Sequence, residues 1–256
     1  MAAMIEASDL AFRHGAAGPW LFAGLSFSLR RGQTLVLLGR NGRGKTTLLK
    51  CLAGLIPPSA GTIRRQGIVG YVPQHFQPPF AYSVLDMVLM GRARHVGLFS
   101  APGAEDRRRA QEALELIGLA PLQRRSVTTL SGGERQLVLI ARALASEADI
   151  LLLDEPASAL DFRNQAVMLA TLRRLVAKRG LTMVMTTHEP THALEVADRA
   201  VFLHGAGQAE EGPVDALCTE SRLSMLYGIP MRRLDYGIGA RRSSSIVASY
   251  GSVDTA

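Results

Sequence analysis

The sequence predicts an α/β protein with a mostly parallel core, an antiparallel β layer ahead of it and a helical lobe inserted in the middle. Three observations predict it. Gly39, Arg40, Asn41, Gly42, Arg43, Gly44, Lys45 and Thr46 form a complete G-x-x-x-x-G-K-[ST] pattern between an apolar strand (Leu35 to Leu38) and a helix-like stretch (Thr47 to Leu55). Ile150 to Leu153 is an unbroken apolar run ending in Asp154 and Glu155, as a strand buried on both faces reads. From about His75 to Ala145 helical periodicity replaces the alternation of strands and helices.

Each element has its own signal. Ser8 to Phe12 and Leu25 to Leu29 alternate in strand fashion, and Arg30 to Gln33 turns the chain into the strand Thr34 to Leu38. Pro57, Pro58 and Gly61 break the chain after the first helix, and Ile68 to Val72 gives a short strand. Ser83 has the spacing of an N-cap, with Asp86 three residues on. Ala104 to Ile117 is amphipathic and stops at Gly118. Strands and helices resume at Ile150 to Asp154, Leu169 to Ala177, Thr182 to Thr186 and Val201 to Leu203. Residues 1–236 are therefore expected to form one nucleotide-binding domain with the helical subdomain at about 75–145. The Gly- and Ser-rich stretch 237–256 is expected to be a loosely ordered tail.

Composition narrows the function. The chain has 256 residues, 47% of them apolar, enough for a large core. Its net charge of +7 is spread: Lys45, Lys50 and Lys178 are the only lysines, and the arginines are scattered in short clusters such as 107–109 and 241–242. A generally basic surface, compatible with anionic lipid head groups, explains this without a nucleic-acid partner. Cys51 and Cys218 lack C-x-x-C spacing and read as reduced, buried thiols of a cytosolic protein. No signal peptide is visible, and the apolar runs fall far short of the ~20 residues that span a bilayer.

The chemistry sits in a few segments. In the phosphate loop, glycines let several backbone N–H groups face one anion at a positive helix end. Lys45 is expected to reach the outer phosphates of a nucleoside triphosphate, and the Thr46 hydroxyl to ligate Mg²⁺. Asp154 is expected to hold the Mg²⁺ shell, and Glu155 to orient and deprotonate the attacking water. Ser131 and Glu134 form the S-x-x-E of a capping box for the helix Arg135 to Leu144. Two glycines in its first turn, Gly132 and Gly133, cost about 1 kcal/mol each against alanine. They make sense if an anion approaches that backbone closely, which suggests a triphosphate shared with another copy.

At this point the chain resembles the ATPase subunit of an ATP-binding cassette (ABC) transporter. The resemblance covers about residues 5–230 and rests on ordered motifs: the phosphate loop, Tyr71 to Gln74, Leu130 to Glu134, Ile150 to Glu155, Ser158 to Asp161, and His188. It implies a P-loop NTPase core with an antiparallel β layer and an inserted helical subdomain. It also implies a head-to-tail homodimer holding two ATP molecules. Each would be gripped by residues 39–47 of one copy, Thr47 included, and by Ser131, Gly132, Gly133 and Glu134 of the other. Gln74 would link Mg²⁺ and the attacking water to the helical lobe, Asp161 would lie in the loop crossing the dimer interface, and His188 would contact the γ-phosphate. His14 stands where the family places an aromatic residue on adenine. Phe12 is taken to point the other way by strand alternation. Arg40 and Arg43 occupy positions that are more often small or uncharged. They either add charge near the nucleotide or are simply solvated.

The wording of Pro79 to Arg92, with Gly97 to Ser100 and Leu160 to Gln165, resembles ATPases of importers for iron–siderophore complexes, haem, cobalamin and similar compounds. The shortened stretch from Gly61 to Gln74 looks most like a molybdate/tungstate-type member. The resemblance implies membrane permease subunits, an indirect substrate-binding protein, and a peripheral position on the cytoplasmic face of the cell membrane. The competing reading is a soluble cassette protein acting on DNA or ribosomes. Those usually carry two cassettes or a long coiled coil, and neither pattern occurs in this sequence. His188 to His192 also spells H-E-x-x-H, a zinc-site pattern. It requires both histidines on one helix, and Pro190 is expected to start the helix after His188.

Overall fold

A computed structural model describes residues 3–78, 80–97, 100–238 and 241–250. Pro79, Leu98 and Phe99 of the importer-like wording, and the end of the expected tail at 251–256, lie outside the described residues. The chain divides into two compact units, residues 1–66 with 182–256, and residues 67–181.

The first unit opens on β1 (Ala3–Arg13) and β2 (Trp20–Arg30), an antiparallel pair in which Ile5 faces Leu29 and Leu10 faces Leu25. Their alternating apolar residues, Ile5, Leu10, Phe22 and Leu29 among them, are buried. The fully buried β3 (Thr34–Leu38) leads through the phosphate loop into α1 (Lys45–Ala53). β4 (Ala60–Arg65) then pairs antiparallel with the other side of β1, completing the order β2-β1-β4.

The second unit contains β5 (Val69–Val72) and then helices: α2 (Val84–Leu89), α3 (Ala104–Leu116) and α4 (Gly132–Ala145). Ser83 caps α2 as its spacing predicts, its Oγ accepting from the Asp86 N–H at 3.1 Å. Buried Arg92 joins the ends of α3 and α4, donating to the Asp106 carboxylate at 3.0 Å and the Ala145 carbonyl at 2.8 Å. Then β6 (Ile150–Leu153) runs parallel to β5, residue 69 beside 150, and α5 (Phe162–Arg179) follows.

The chain returns to the first unit at β7 (Thr182–Thr186), which lies parallel to β3. After α6 (Pro190–Val196), β8 (Arg199–Gly205) takes the other side of β3, and β9 (Gln208–Pro213) folds back antiparallel on β8. Strands β3, β7 and β8 read as continuous apolar runs because both of their faces are covered. The unit ends with α7 (Val214–Leu217), α8 (Glu220–Tyr227), β10 (Met231–Ile238) and β11 (Arg241–Ala248).

The loose tail expected from residue 237 is corrected over 237–238 and 241–248, where β10 and β11 pair in regular antiparallel register from Met231 opposite Ala248 to Ile238 opposite Arg241, while 239–240 lie outside the described residues. Glu220 accepts from the Arg233 N–H and Ser224 from the Met231 N–H, each at 2.8 Å. Thr191 accepts from the Ile246 N–H at 3.0 Å. Side chains of α6 and α8 thus satisfy outward-facing backbone donors of both strands, so a Ser-rich stretch of modest strand propensity is ordered by its surroundings.

Candidate functional site

In the first unit, the carboxyl end of β3 places the phosphate loop. Gly39 leaves the strand at φ +155°, and a Cβ there would lie 2.6 Å from the Leu203 carbonyl oxygen of β8. The loop bends through Gly42 and Gly44, both at positive φ, and Gly44 accepts the Leu48 N–H at 2.8 Å to begin α1. Lys45 is only 6% exposed, and its ammonium donates to the Gly39 carbonyl at 2.8 Å and the Arg40 carbonyl at 3.4 Å. Thr46 and Thr47 are half-buried on the first turn of α1, and Asn41 is exposed. This geometry gives Gly39→Ala a clear expectation. The new methyl group collides with backbone rather than with a movable side chain, costing about 1–3 kcal/mol. A lowered melting temperature together with weakened nucleotide binding is the expected result.

The two arginines differ. Arg43 packs over the end of β8, where a Cβ at Gly205 would sit 2.5 Å from its guanidinium nitrogen. Arg40 is exposed and approaches Gly228, which ends α8. His14 is exposed at the end of β1, its ring edge-on to Phe12 at 5.2 Å between centroids. The expectation that Phe12 points the other way is corrected: the chain leaves β1 after Arg13, and the two rings touch. The Arg13 guanidinium lies 4.5 Å above the Trp20 ring in the same region, a pair that the sequence pattern does not reveal.

His188 follows β7 and precedes α6, whose first residue is Pro190, so it lies off the helix that carries His192. The zinc geometry is therefore absent. His188 Nε2 lies 3.8 Å from the Glu189 carboxylate. His192 is buried, and desolvation holds its imidazole below the ordinary pKa.

In the second unit, Asp154 ends β6 only 3% exposed, its N–H donating to the Val72 carbonyl at 2.9 Å. Burial, and then the charge of Asp154, push the Tyr71 phenol up to about 12. Glu155 adopts φ +45°, a left-handed conformation that a non-glycine residue holds only where its surroundings impose it. Its carboxylate accepts a hydrogen bond from Gln74 Nε2 at 3.3 Å, and the same amide lies 3.5 Å from Ser158 Oγ. Gln74, Glu155 and Ser158 line a cavity of about 460 Å³ together with Gly132, Gln136 and Leu160.

Ser131 and Glu134 close the expected capping box on α4: Ser131 Oγ accepts from the Glu134 N–H at 3.2 Å and the Glu134 carboxylate from the Ser131 N–H at 2.8 Å. The Ser131 backbone N–H, and then its hydroxyl, hold the Glu134 carboxyl below its usual range. A Cβ at Gly132 would meet nothing within 4 Å, and one at Gly133 only side chains at ordinary contact distance. Packing within this chain therefore demands neither glycine. Asp161 caps α5, accepting from the Asn164 N–H at 2.8 Å.

The comparisons agree with this arrangement. The family model described as ABC transporter matches residues 22–158. The molybdate import ATP-binding protein MolC of Haemophilus influenzae is 42% identical over 227 residues, 89% of each chain. A probable iron chelatin transport ATP-binding protein of Helicobacter pylori is 34% identical over 252 residues, 90% of this chain and 95% of that protein. Among solved structures, a metal-chelate type ABC transporter in an inward-facing conformation superposes with a TM-score of 0.92 at 39% identity, over 97% of this chain and 98% of that one. A dimeric post-hydrolysis ATP-binding cassette bound to ADP and Pi has a TM-score of 0.70 at 25% identity, over 82% of this chain and 99% of that one. This chain belongs to the ABC transporter family and is one of its ATPase subunits.

Proposed function

We propose that the chain hydrolyses ATP to drive import of a metal chelate or oxyanion through a separate membrane permease. The observation that carries this reading is the near end-to-end match to a molybdate import ATPase at 42% identity, joined to a 0.92 superposition on a metal-chelate transporter. Within that class, molybdate is the solute that the relative at 42% identity supports. No described helix is long and apolar enough to cross a membrane, so solute passage falls to permease subunits, supplied in turn by a substrate-binding protein. The chain acts peripherally, on the cytoplasmic face of the membrane.

In this reading residues 39–47 cradle the triphosphate, Lys45 neutralises its outer charge, and His14 stacks on adenine. Glu155 takes the proton of the attacking water, Gln74 positions that water, and His188 donates to the γ-phosphate. The hydroxyl of Thr46, the carboxylate of Asp154 and the amide oxygen of Gln74 are hard oxygen donors suited to Mg²⁺, which would offset phosphate charge. The N–H groups of Gly132 and Gly133 and the Ser131 hydroxyl face the ATP of a second copy, Glu134 holds that turn through the capping box, and Asp161 belongs to the loop that crosses between the two. The openness around Gly132 supports this sharing.

Reconstitution with its membrane permease tests the reading. ATPase activity should rise in the complex, and the solute should accumulate in vesicles only with ATP. Co-purification with DNA or ribosomes and no response to the permease would refute it. Ser131→Arg tests the shared site. ATP binding to the monomer should persist while ATP-dependent dimers of a hydrolysis-blocked form disappear on size exclusion. Ser131→Ala, which loses the same helix cap (about 1 kcal/mol) without adding bulk, separates the two effects.

A further inference from the structure

We infer that Arg142 is a positioning residue that joins the Gln74 segment to α2, so that the state of Glu155 responds to whatever presses on the helical wall carrying Met87. This rests on the importer reading above. Arg142 lies in the last turn of α4, the helix that begins with the Ser131 cap. Its guanidinium carbon sits 5.1 Å from the centroid of the Phe76 ring. Its Nη1 lies 3.9 Å from the sulfur of Met87, which is fully buried in α2. On its backbone side the turn after α2 is pressed against it, since a Cβ at Gly91 would lie 2.0 Å from the Arg142 carbonyl oxygen. One residue therefore touches three segments of the same unit.

The chemistry of the contact is unusual for an arginine. Among the described residues no carboxylate lies within ion-pair distance of Arg142, and desolvation alone pulls its pKa below the ordinary value. A partly buried cation without a counter-charge gains what it can from the face of a ring and a polarisable sulfur. Both gains depend on geometry. The guanidinium is satisfied only while Phe76 and Met87 hold their present positions, so moving either one changes the other's environment.

The two ends lead to different places. Phe76 is two residues beyond Gln74, whose amide donates to the Glu155 carboxylate at 3.3 Å. Met87 is flanked by Asp86, Leu89 and Met90, which with Ala93 and Val96 line a second cavity of about 560 Å³. When the permease of the importer reading shifts α2, the Met87 and Gly91 contacts move with it, and Arg142 passes the displacement to Phe76 and hence to Gln74. The link acts by altering where Gln74 sits, and Arg142 itself touches no reacting atom.

The test uses the complete complex with its permease in vesicles and reads the ratio of permease-stimulated to basal ATP turnover. Phe76→Leu keeps an apolar side chain and removes the ring face. It should lower that ratio roughly tenfold, within the usual span of coupling between sites, while the melting temperature stays at the wild-type value. Phe76→Trp, the best partner for a cation, should retain the ratio. Arg142→Met should lower it as much as Phe76→Leu, and the double variant no further. An unchanged ratio in Phe76→Leu, or additive losses in the double variant, overturns the inference. A merely structural role would lower the melting temperature and leave the ratio alone, and that result also overturns it. A wild-type complex without permease stimulation overturns the importer reading and this inference with it, whereas a stimulated wild type with an indifferent Phe76→Leu overturns the inference alone.

Discussion

Glu155→Gln is expected to lower ATP turnover by about 10²- to 10⁴-fold, the usual contribution of a general base, while leaving ATP affinity unchanged. The substitution is nearly isosteric. The amide oxygen of glutamine still accepts from Gln74 Nε2, so the contact now measured at 3.3 Å survives. The left-handed backbone at φ +45° burdens both residues alike. Only the ability to take a proton is lost. With binding intact and hydrolysis blocked, ATP should accumulate between paired copies, and light scattering should show a dimer that the wild-type subunit forms only transiently. Phosphate release measured beside equilibrium ATP binding decides the matter, and a variant that hydrolyses normally removes Glu155 from the role of base.

What the sequence reveals of this site follows from how local each signal is. The phosphate loop, the acids ending β6 and the caps at Ser83 and Ser131 are contiguous, because their geometry is made by hydrogen bonds spanning a few residues. The Gln74–Glu155 contact joins residues 81 positions apart, and no spacing rule reports it. The left-handed backbone of Glu155 is equally silent, since glycine or asparagine would announce such a conformation and glutamate does not. Nothing local marks Arg142, because Phe76 is brought against it from elsewhere in the unit. The strand pair 231–238 and 241–248 is hidden by its serines and by Gly237. Its order comes from Glu220, Ser224 and Thr191, residues of two other helices, and local propensity carries no trace of them. Alternation along β1 does not report the contact of Phe12 with His14, because the strand ends at Arg13.

Lys45→Ala is expected to weaken ATP binding by about 10- to 150-fold, the equivalent of the roughly 1.5–3 kcal/mol carried by one hydrogen bond from a charged donor. The ammonium is held at 6% exposure and already donates to the loop's own Gly39 carbonyl at 2.8 Å, so it is positioned before any phosphate arrives and little order is lost on binding. Alanine removes that attraction and also leaves the Gly39 carbonyl without its donor, at a cost of about 1–3 kcal/mol if water cannot reach it. These two losses are separable. The second lowers the melting temperature of the nucleotide-free protein. The first abolishes the further rise on adding ATP, because stabilisation by a ligand grows as RT ln(1 + [L]/Kd) and vanishes once Kd exceeds the ATP concentration used. Melting curves with and without ATP therefore report both at once. A variant that melts early yet keeps the full ATP-dependent rise would show that Lys45 supports the loop and does not contact the nucleotide. Lys45→Arg adds a second control. It retains the charge, but its planar fork is too broad for a point-charge position enclosed by the loop, so it should bind ATP nearly as weakly as alanine does.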